Sequence, residues 1–270
     1  MASSHTFCIG VKMLRLTARE NPLVKEAIKL KQKKYRQLTG TFLIEGERML
    51  RELLKTPELI VRVFLDENYP VPLEFDHLPI DTYQVTSSIL KAMADTEHPQ
   101  GVVAVARIPQ YQGEILSKPS SLLLLLDRIS DPGNLGTIIR TAWAMDVDGI
   151  LLTPGSADPF SPKVVRSTMG GVLHVPIFNA DHHLINQLLS RGYRMIAATP
   201  KAHTSIYEAD WQGAVICAIG SEAHGLDEMW LNQSVQQVVI PINPTVDSLN
   251  AAVSCAIIMA EARRQRAVSN

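Results

Sequence analysis

Three polar segments, each following an apolar stretch, concentrate the residue types that could do chemistry. The first, Asp127–Arg140, reads DRISDPGNLGTIIR. Gly133 and Gly136 permit a tight turn and close backbone approach, and Asn134 is expected to cap a helix through its side-chain oxygen. Arg140 lies within that helix, suited either to a salt bridge or to an anion. The second segment, Gly220–Gly225, reads GSEAHG. Its two glycines, a hydroxyl and the Glu222 carboxylate suit a loop wrapped around a polar ligand, or a plain turn with Glu222 capping a neighbour. The third, Ile240–Ala252, reads IPINPTVDSLNAA. Ser248 is the expected N-cap, and Asn250 falls in the first turn, where free backbone N–H groups face outward.

Rival chemistries have signatures that are missing from the sequence. There is no G-x-x-x-x-G-K followed by Ser or Thr, which excludes a phosphate-binding P-loop. No G-x-G-x-x-G opens the first helix of the alternating region, and Thr153-Pro154 stands where a dinucleotide site wants an acid for the ribose. No G-x-S-x-G elbow appears, so an α/β-hydrolase is not expected. His182-His183 lack a carboxylate-rich companion set, so no metal site is expected.

Each polar segment needs a strand end to present it, and the hydrophobic pattern supplies one. Leu122–Leu126 is an unbroken apolar run, as for a strand buried on both faces. Further strands are predicted at Gly149–Leu152, Met195–Ala198, Val215–Ile219 and Val238–Pro241. Leu135, Ile138, Ile139, Ala142 and Met145 form a helical stripe. More helices are predicted at Lys163–Met169, Asp181–Ser190 and Ser248–Arg266, the last burying Leu249, Val253, Ala256, Ile257 and Ala260. This alternation predicts an α/β fold, with a parallel sheet covered on both faces. Ligands of such sheets bind beyond the carboxyl ends of the strands, where the three segments fall.

The first hundred residues read as a smaller mixed α/β unit. A basic helix over Leu23–Gln37 leads to a strand at Phe42–Glu45, a helix at Glu47–Leu54 and a strand at Val61–Leu65. A helix at Ile89–Ala94, capped by Ser87 or Ser88, precedes a closing strand at Gly101–Ala106. The stretch 108–121, with its Pro, Gly and Ser residues, is the expected linker, giving domains 1–107 and 122–270.

Composition sets the outer bounds. The length of 270 residues favours two domains. With 46% hydrophobic and 20% charged residues, the chain is neither disordered nor a coiled coil. No apolar run approaches the roughly 18 residues of a membrane span. The N-terminus lacks the pattern of a secretory signal. The three cysteines, Cys8, Cys217 and Cys255, lie far apart, which points to a reducing, cytoplasmic setting. The net charge of −1 divides into +7 over residues 1–55 and −8 over the rest. The basic run KEAIKLKQKKYR, with Lys31, Lys33, Lys34 and Arg36, is either a solvated helix face or a phosphate-contacting arm for nucleic acid.

The segments DRISDPGNLGTIIRTAWAMDVDGILLT, SPKVVRSTMGGVLHVPI, AIGSEAHGLDEMW and VVIPINPTVDSLNAAVSCAI, in that order, resemble the SpoU (TrmH-like) family of RNA ribose 2′-O-methyltransferases, members of the SPOUT superfamily. FLIEGERMLREL and MADTEHPQGVVAVA are similar to the L30e-like substrate-binding domain that often precedes this catalytic domain. The resemblance implies a deep trefoil knot, which ordinary topology rules would never predict. It also implies S-adenosylmethionine as cofactor, RNA as substrate and a homodimer. By the same resemblance Asn134 and Arg140 match the first motif, Glu222 the second, and Ser248 and Asn250 the third, with Asn134, Arg140, Glu222 and Asn250 catalytic. Cofactor contacts are implied at Thr199, Pro200, Gly220, Ser221, Ile240, Ile242, Ser248 and Leu249. Two positions depart from the family pattern: Ala252, where the third motif usually continues with Ser, and Asp146, where Gly is common.

An arginine pKa above about 12 makes Arg140 a demanding base. It is expected instead to bind RNA phosphate and stabilise the developing alkoxide, with Asn134, Glu222 and Asn250 holding it and the ribose in place. Ribosomal RNA is favoured over transfer RNA because the N-terminal half resembles a ribosomal RNA binder. The alternative is a non-catalytic RNA-binding or ribosome-assembly factor on the same fold, against which the intact motif residues weigh.

Overall fold

In the computed structural model, which describes residues 13–70, 80–111 and 120–267, the chain divides between Ile108 and Pro109 into two units, each with its own apolar core. The central residues of the expected linker, 112–119, lie outside the described residues, as does Cys8.

The first unit contains β1 (Leu14–Leu16), α1 (Pro22–Lys29), α2 (Lys33–Thr39), β2 (Thr41–Glu45), α3 (Glu47–Leu53), β3 (Ile60–Asp66), β4 (Thr82–Val85), α4 (Ser87–Met93) and β5 (Val102–Arg107). Its sheet runs β1-β4-β3-β5-β2, with β1, β4 and β3 parallel and β5 antiparallel to both neighbours. The basic run is therefore two helices rather than one. Asn21 starts α1 by accepting from the Leu23 amide at 2.9 Å, with Pro22 at the first position. The helix stops at Leu30, whose carbonyl takes a 2.7 Å bond from Arg36 Nη1. Arg36 is buried in that role, so it is not a phosphate-contacting residue as the sequence suggested. The cap of α4 is Thr86, not Ser87 or Ser88, which become its first helical residues.

The second unit contains β6 (Leu122–Asp127), α5 (Pro132–Ala144), β7 (Gly149–Leu152), α6 (Pro162–Thr168), β8 (Ile177–Asn179), α7 (His182–Ser190), β9 (Arg194–Ala198), β10 (Thr204–Ser205), β11 (Val215–Gly220), α8 (Glu228–Gln233), β12 (Gln236–Val239) and α9 (Ala251–Ala267). Its strands are ordered β10-β12-β9-β11-β6-β7-β8, and every pair is parallel. The leucines of β6 show why. With side chains alternating across the sheet, Leu122, Leu124 and Leu126 enter one core with α5 and α9, while Leu123 and Leu125 enter the other with α7. Each such side chain contributes about 1.5–3 kcal/mol by leaving water.

Three local expectations change here. Asp131, not Asn134, caps α5, its Oδ1 accepting from the Asn134 amide at 2.7 Å. Asn250, not Ser248, caps α9, its Oδ1 accepting from the amides of Ala252 (3.0 Å) and Val253 (3.3 Å). The buried face of α9 is Ala252, Cys255, Ile258, Met259 and Ala262; Val253 is 47% exposed. This helix is apolar on more than one side, so its spacing alone could not say which stripe faces inward. Among the described residues no helix is long and apolar enough to cross a membrane.

Candidate active site

Because the strands are parallel, the carboxyl ends of β6, β9, β11 and β12 share one edge of the sheet. The segments that follow β6, β11 and β12 meet there at one atom, Glu222 Oε1. It accepts from Asn134 Nδ2 at 3.1 Å, from Asn250 Nδ2 at 2.8 Å and from the Ala251 amide at 2.8 Å. Asn250 Nδ2 also donates to Asn134 Oδ1 at 2.9 Å, closing a triangle of side chains. The orientation of Asn250 is dictated by the helix behind it. Its oxygen must serve the free amides of the first turn of α9, so its nitrogen faces Glu222 and Asn134. The carboxylate beside the start of α9 also meets the positive end of the helix dipole.

Next to this junction lies a cleft of about 420 Å³, within the range of small-molecule sites. The loop after β9 supplies Thr199 and Pro200, the loop after β11 supplies Gly220, Ser221 and Glu222, and the segment after β12 supplies Ile240, Ile242, Ser248 and Leu249. All eight residues expected to contact a cofactor thus line one cavity. Its floor needs glycine at position 220, where a Cβ would overlap the Gly225 carbonyl and the Leu226 amide. The turn beyond is closed by a Ser221–Gly225 bridge, with Gly225 at φ +64°. His224, to which the sequence reading gave no role, is exposed in this turn.

Asp127 was also missed as a positioning residue. It is 3% exposed and receives Thr153 Oγ1 at 2.9 Å, Arg128 Nη2 at 3.0 Å and the Asp227 amide at 3.0 Å. It thereby ties the ends of β6 and β7 to the loop beyond β11. An acid ending a wholly apolar strand was the available signal.

Arg140 stands apart from the junction. It is exposed on α5, does not line the cleft, and its side chain has no hydrogen bond or ion pair among the described residues. Asn134, Glu222 and Asn250 therefore hold one another, not Arg140. The backbone packs closely against this part of α5, since a Cβ on Gly171 would lie 3.1 Å from the Ile139 carbonyl oxygen and 3.4 Å from the Arg140 Cα. In the first unit, Lys33 and Lys34 are exposed and Lys31 is half-buried. Burial lowers the Lys31 pKa, against the opposing influence of Asp95 and Glu45.

Residues 121–260 match the SpoU rRNA Methylase family, and residues 21–104 match the MRM3-like substrate binding domain. The chain is 37% identical to the uncharacterized tRNA/rRNA methyltransferase slr1673 of Synechocystis sp., over 93% of this chain and 94% of that protein. It is 31% identical to the 23S rRNA (guanosine(2553)-2'-O)-methyltransferase RlmP of Bacillus subtilis, over 92% of this chain and 98% of that protein. An AdoMet-bound rRNA methyltransferase from Sinorhizobium meliloti shares its fold at a TM-score of 0.83 and 29% identity, covering 93% of this chain and 98% of that one.

Proposed function

The chain belongs to the SpoU rRNA methylase family, and on that premise we propose that it transfers a methyl group from S-adenosylmethionine to a ribose 2′-hydroxyl of ribosomal RNA. Relatives named as rRNA methyltransferases support the enzyme reading over that of a non-catalytic factor. The observation that carries the reading furthest is the Glu222 junction, where motif residues 88 and 28 positions away in sequence come within hydrogen-bonding distance of one carboxylate. The deep trefoil knot comes with the family's fold.

The cleft fits the cofactor in its chemistry. Leu226, Val238 and Ile240 offer apolar wall to an adenine, and the glycine floor at 220 lets a ligand approach the backbone. Thr199, Pro200, Ser221, Ile242, Ser248 and Leu249 would complete the enclosure. When bound, S-adenosylmethionine supplies an electrophilic sulfonium methyl. The chain's part is then to place the 2′-hydroxyl and to stabilise charge. Glu222 clamps the starts of α5 and α9, so that the amides of Asn134 and Asn250 are held beside the cleft. Arg140, with its guanidinium uncommitted, would hold an RNA phosphate and favour negative charge on the ribose oxygen as its proton leaves.

A homodimer in the cytoplasm completes the proposal. Val253, Ile257 and Ala260 form an apolar stripe on α9 that this chain leaves at least partly uncovered. Arg140 lies outside the cleft lining, which suits delivery to the cleft of a second copy. The free thiols Cys217 and Cys255 suit a reducing compartment.

The test is methyl transfer from labelled S-adenosylmethionine to unmodified ribosomal and transfer RNA in separate reactions, with nuclease mapping. Label at one alkali-resistant linkage in ribosomal RNA is expected. Label confined to transfer RNA would overturn the choice of substrate, and label on a base would overturn the chemistry.

A further inference from the structure

The first unit holds a cavity of about 310 Å³ between α1, α2 and the sheet. Nothing in the methyl-transfer site uses it. We propose that this cavity receives a single unpaired nucleobase of the RNA, with the flanking phosphates against the exposed lysines of α1 and α2; the proposal rests on the reading of RNA as substrate.

Three properties converge on that occupant. The inner wall is apolar, from Leu30, Val61 and Val105, and is joined by the ring of Tyr35. Lys29 Nζ stands 5.4 Å from the Tyr35 centroid, so a cation and an aromatic face are presented together. The rim carries Leu38, 75% exposed and one helical turn from Lys34. An apolar rim beside a row of lysines matches the two sides of a nucleotide, a flat heterocycle and an anionic backbone. The one acidic side chain in the lining, Glu26, is paired with Arg62 at 3.2 Å, which offsets its repulsion of phosphate.

The polar atoms also suit the edge of an unpaired base. Thr39 Oγ1 donates its only proton to the Tyr35 carbonyl at 2.9 Å. In its 2.7 Å contact with Thr41 it must therefore accept, and Thr41 has spent its proton there. Both hydroxyl oxygens are left as acceptors only. They can then accept from the N–H groups on the Watson–Crick edge of an unpaired base. A base paired within a duplex cannot enter, so the site reads single-stranded segments.

The experiment is fluorescence anisotropy of short labelled RNAs on the full-length protein. Leu38→Asn, at an exposed position and without added charge, is expected to weaken single-stranded RNA by about tenfold, leaving duplex affinity, S-adenosylmethionine affinity and Tm unchanged. Tyr35→Leu, at a ring packed partly against the core, should weaken single strand similarly with a small loss of Tm. Lys33→Glu, outside the lining, should weaken single strand and duplex alike. Unchanged single-strand affinity in Leu38→Asn overturns the proposal, as does equal loss for duplex. A change in sedimentation of Leu38→Asn with RNA affinity intact would make the patch a protein interface instead. If the wild-type protein methylates RNA while the cavity variants bind as it does, this inference alone fails. If no RNA is bound or methylated, the underlying reading fails with it.

Discussion

At the scale of the residue, the proposed mechanism gives holding to Glu222 and acting to Arg140. Glu222→Ala removes the acceptor for two side-chain amides and a backbone N–H. Because the junction is open to water, the expected loss is about 1 kcal/mol, measured by chemical denaturation, with a much larger fall in turnover. Glu222→Gln keeps an oxygen for the same donors and should recover most of the stability. Arg140→Ala should abolish turnover while leaving the Kd for S-adenosylmethionine nearly unchanged, because Arg140 does not line the cleft; a matching loss of cofactor binding would refute this division. Taken singly, the motif residues read as ordinary caps or salt-bridge partners; what singled them out was the resemblance of three segments, in order, to the family's motifs. Arg36 was misread because a buried arginine closing a helix end looks the same in sequence as one facing phosphate. Asp127 was overlooked because its partners, Thr153 and the Asp227 amide, lie 26 and 100 positions away.

At the scale of the element, the strands nearest the site were the clearest. β6, β7, β9 and β11 are short, apolar and buried, and their spacing announced a parallel sheet. β1, β4, β8 and β10 were invisible, being two to four residues long and only partly buried. Helix ends were placed less well than helix bodies, since Ser, Asn and Asp all cap and tertiary partners choose among them. Asn250 prevails over Ser248 because Glu222 takes up its amide nitrogen. The face of α9 was also misjudged, and the uncovered stripe has a consequence in solution. Val253→Asp places a charge on that stripe without touching the core, so it is expected to yield folded monomers by analytical ultracentrifugation. A dimer of unchanged affinity would show that α9 is not the contact.

At the scale of the whole molecule, the chain forms two units with separate cores, and the proposed function gives RNA presentation to the first and methyl transfer to the second. The excess of positive charge lies within residues 1–55 (+7) and nearly cancels over residues 1–108 (+2), so it did not mark the boundary between the units, and a knot is implied only through the family's fold. The interior of the second unit also sets a response to alkali. Burial pushes the Cys217 thiol up to about 12 and raises Cys255 in the same direction. In the unfolded chain both ionise near the ordinary value of about 8.5, so through this window the native state holds the extra protons. Stability should be intact below it and decline as pH rises toward about 12 for Cys217. Denaturant titrations across alkaline pH should show that decline, and Cys217→Ala should make it shallower; an equally steep slope would assign the effect to other groups.

The Glu222 junction also gives the enzyme a birth order. Its carboxylate is synthesised well before Asn250 and Ala251, and Asn134 waits 116 residues for the partner that closes the triangle. A nascent chain elongated only as far as Ser248 has the central strands and the glycine floor, yet lacks the helix start that fixes the clamp. Competence to modify RNA therefore arrives in one step, when α9 has emerged and folded, rather than growing as the chain lengthens.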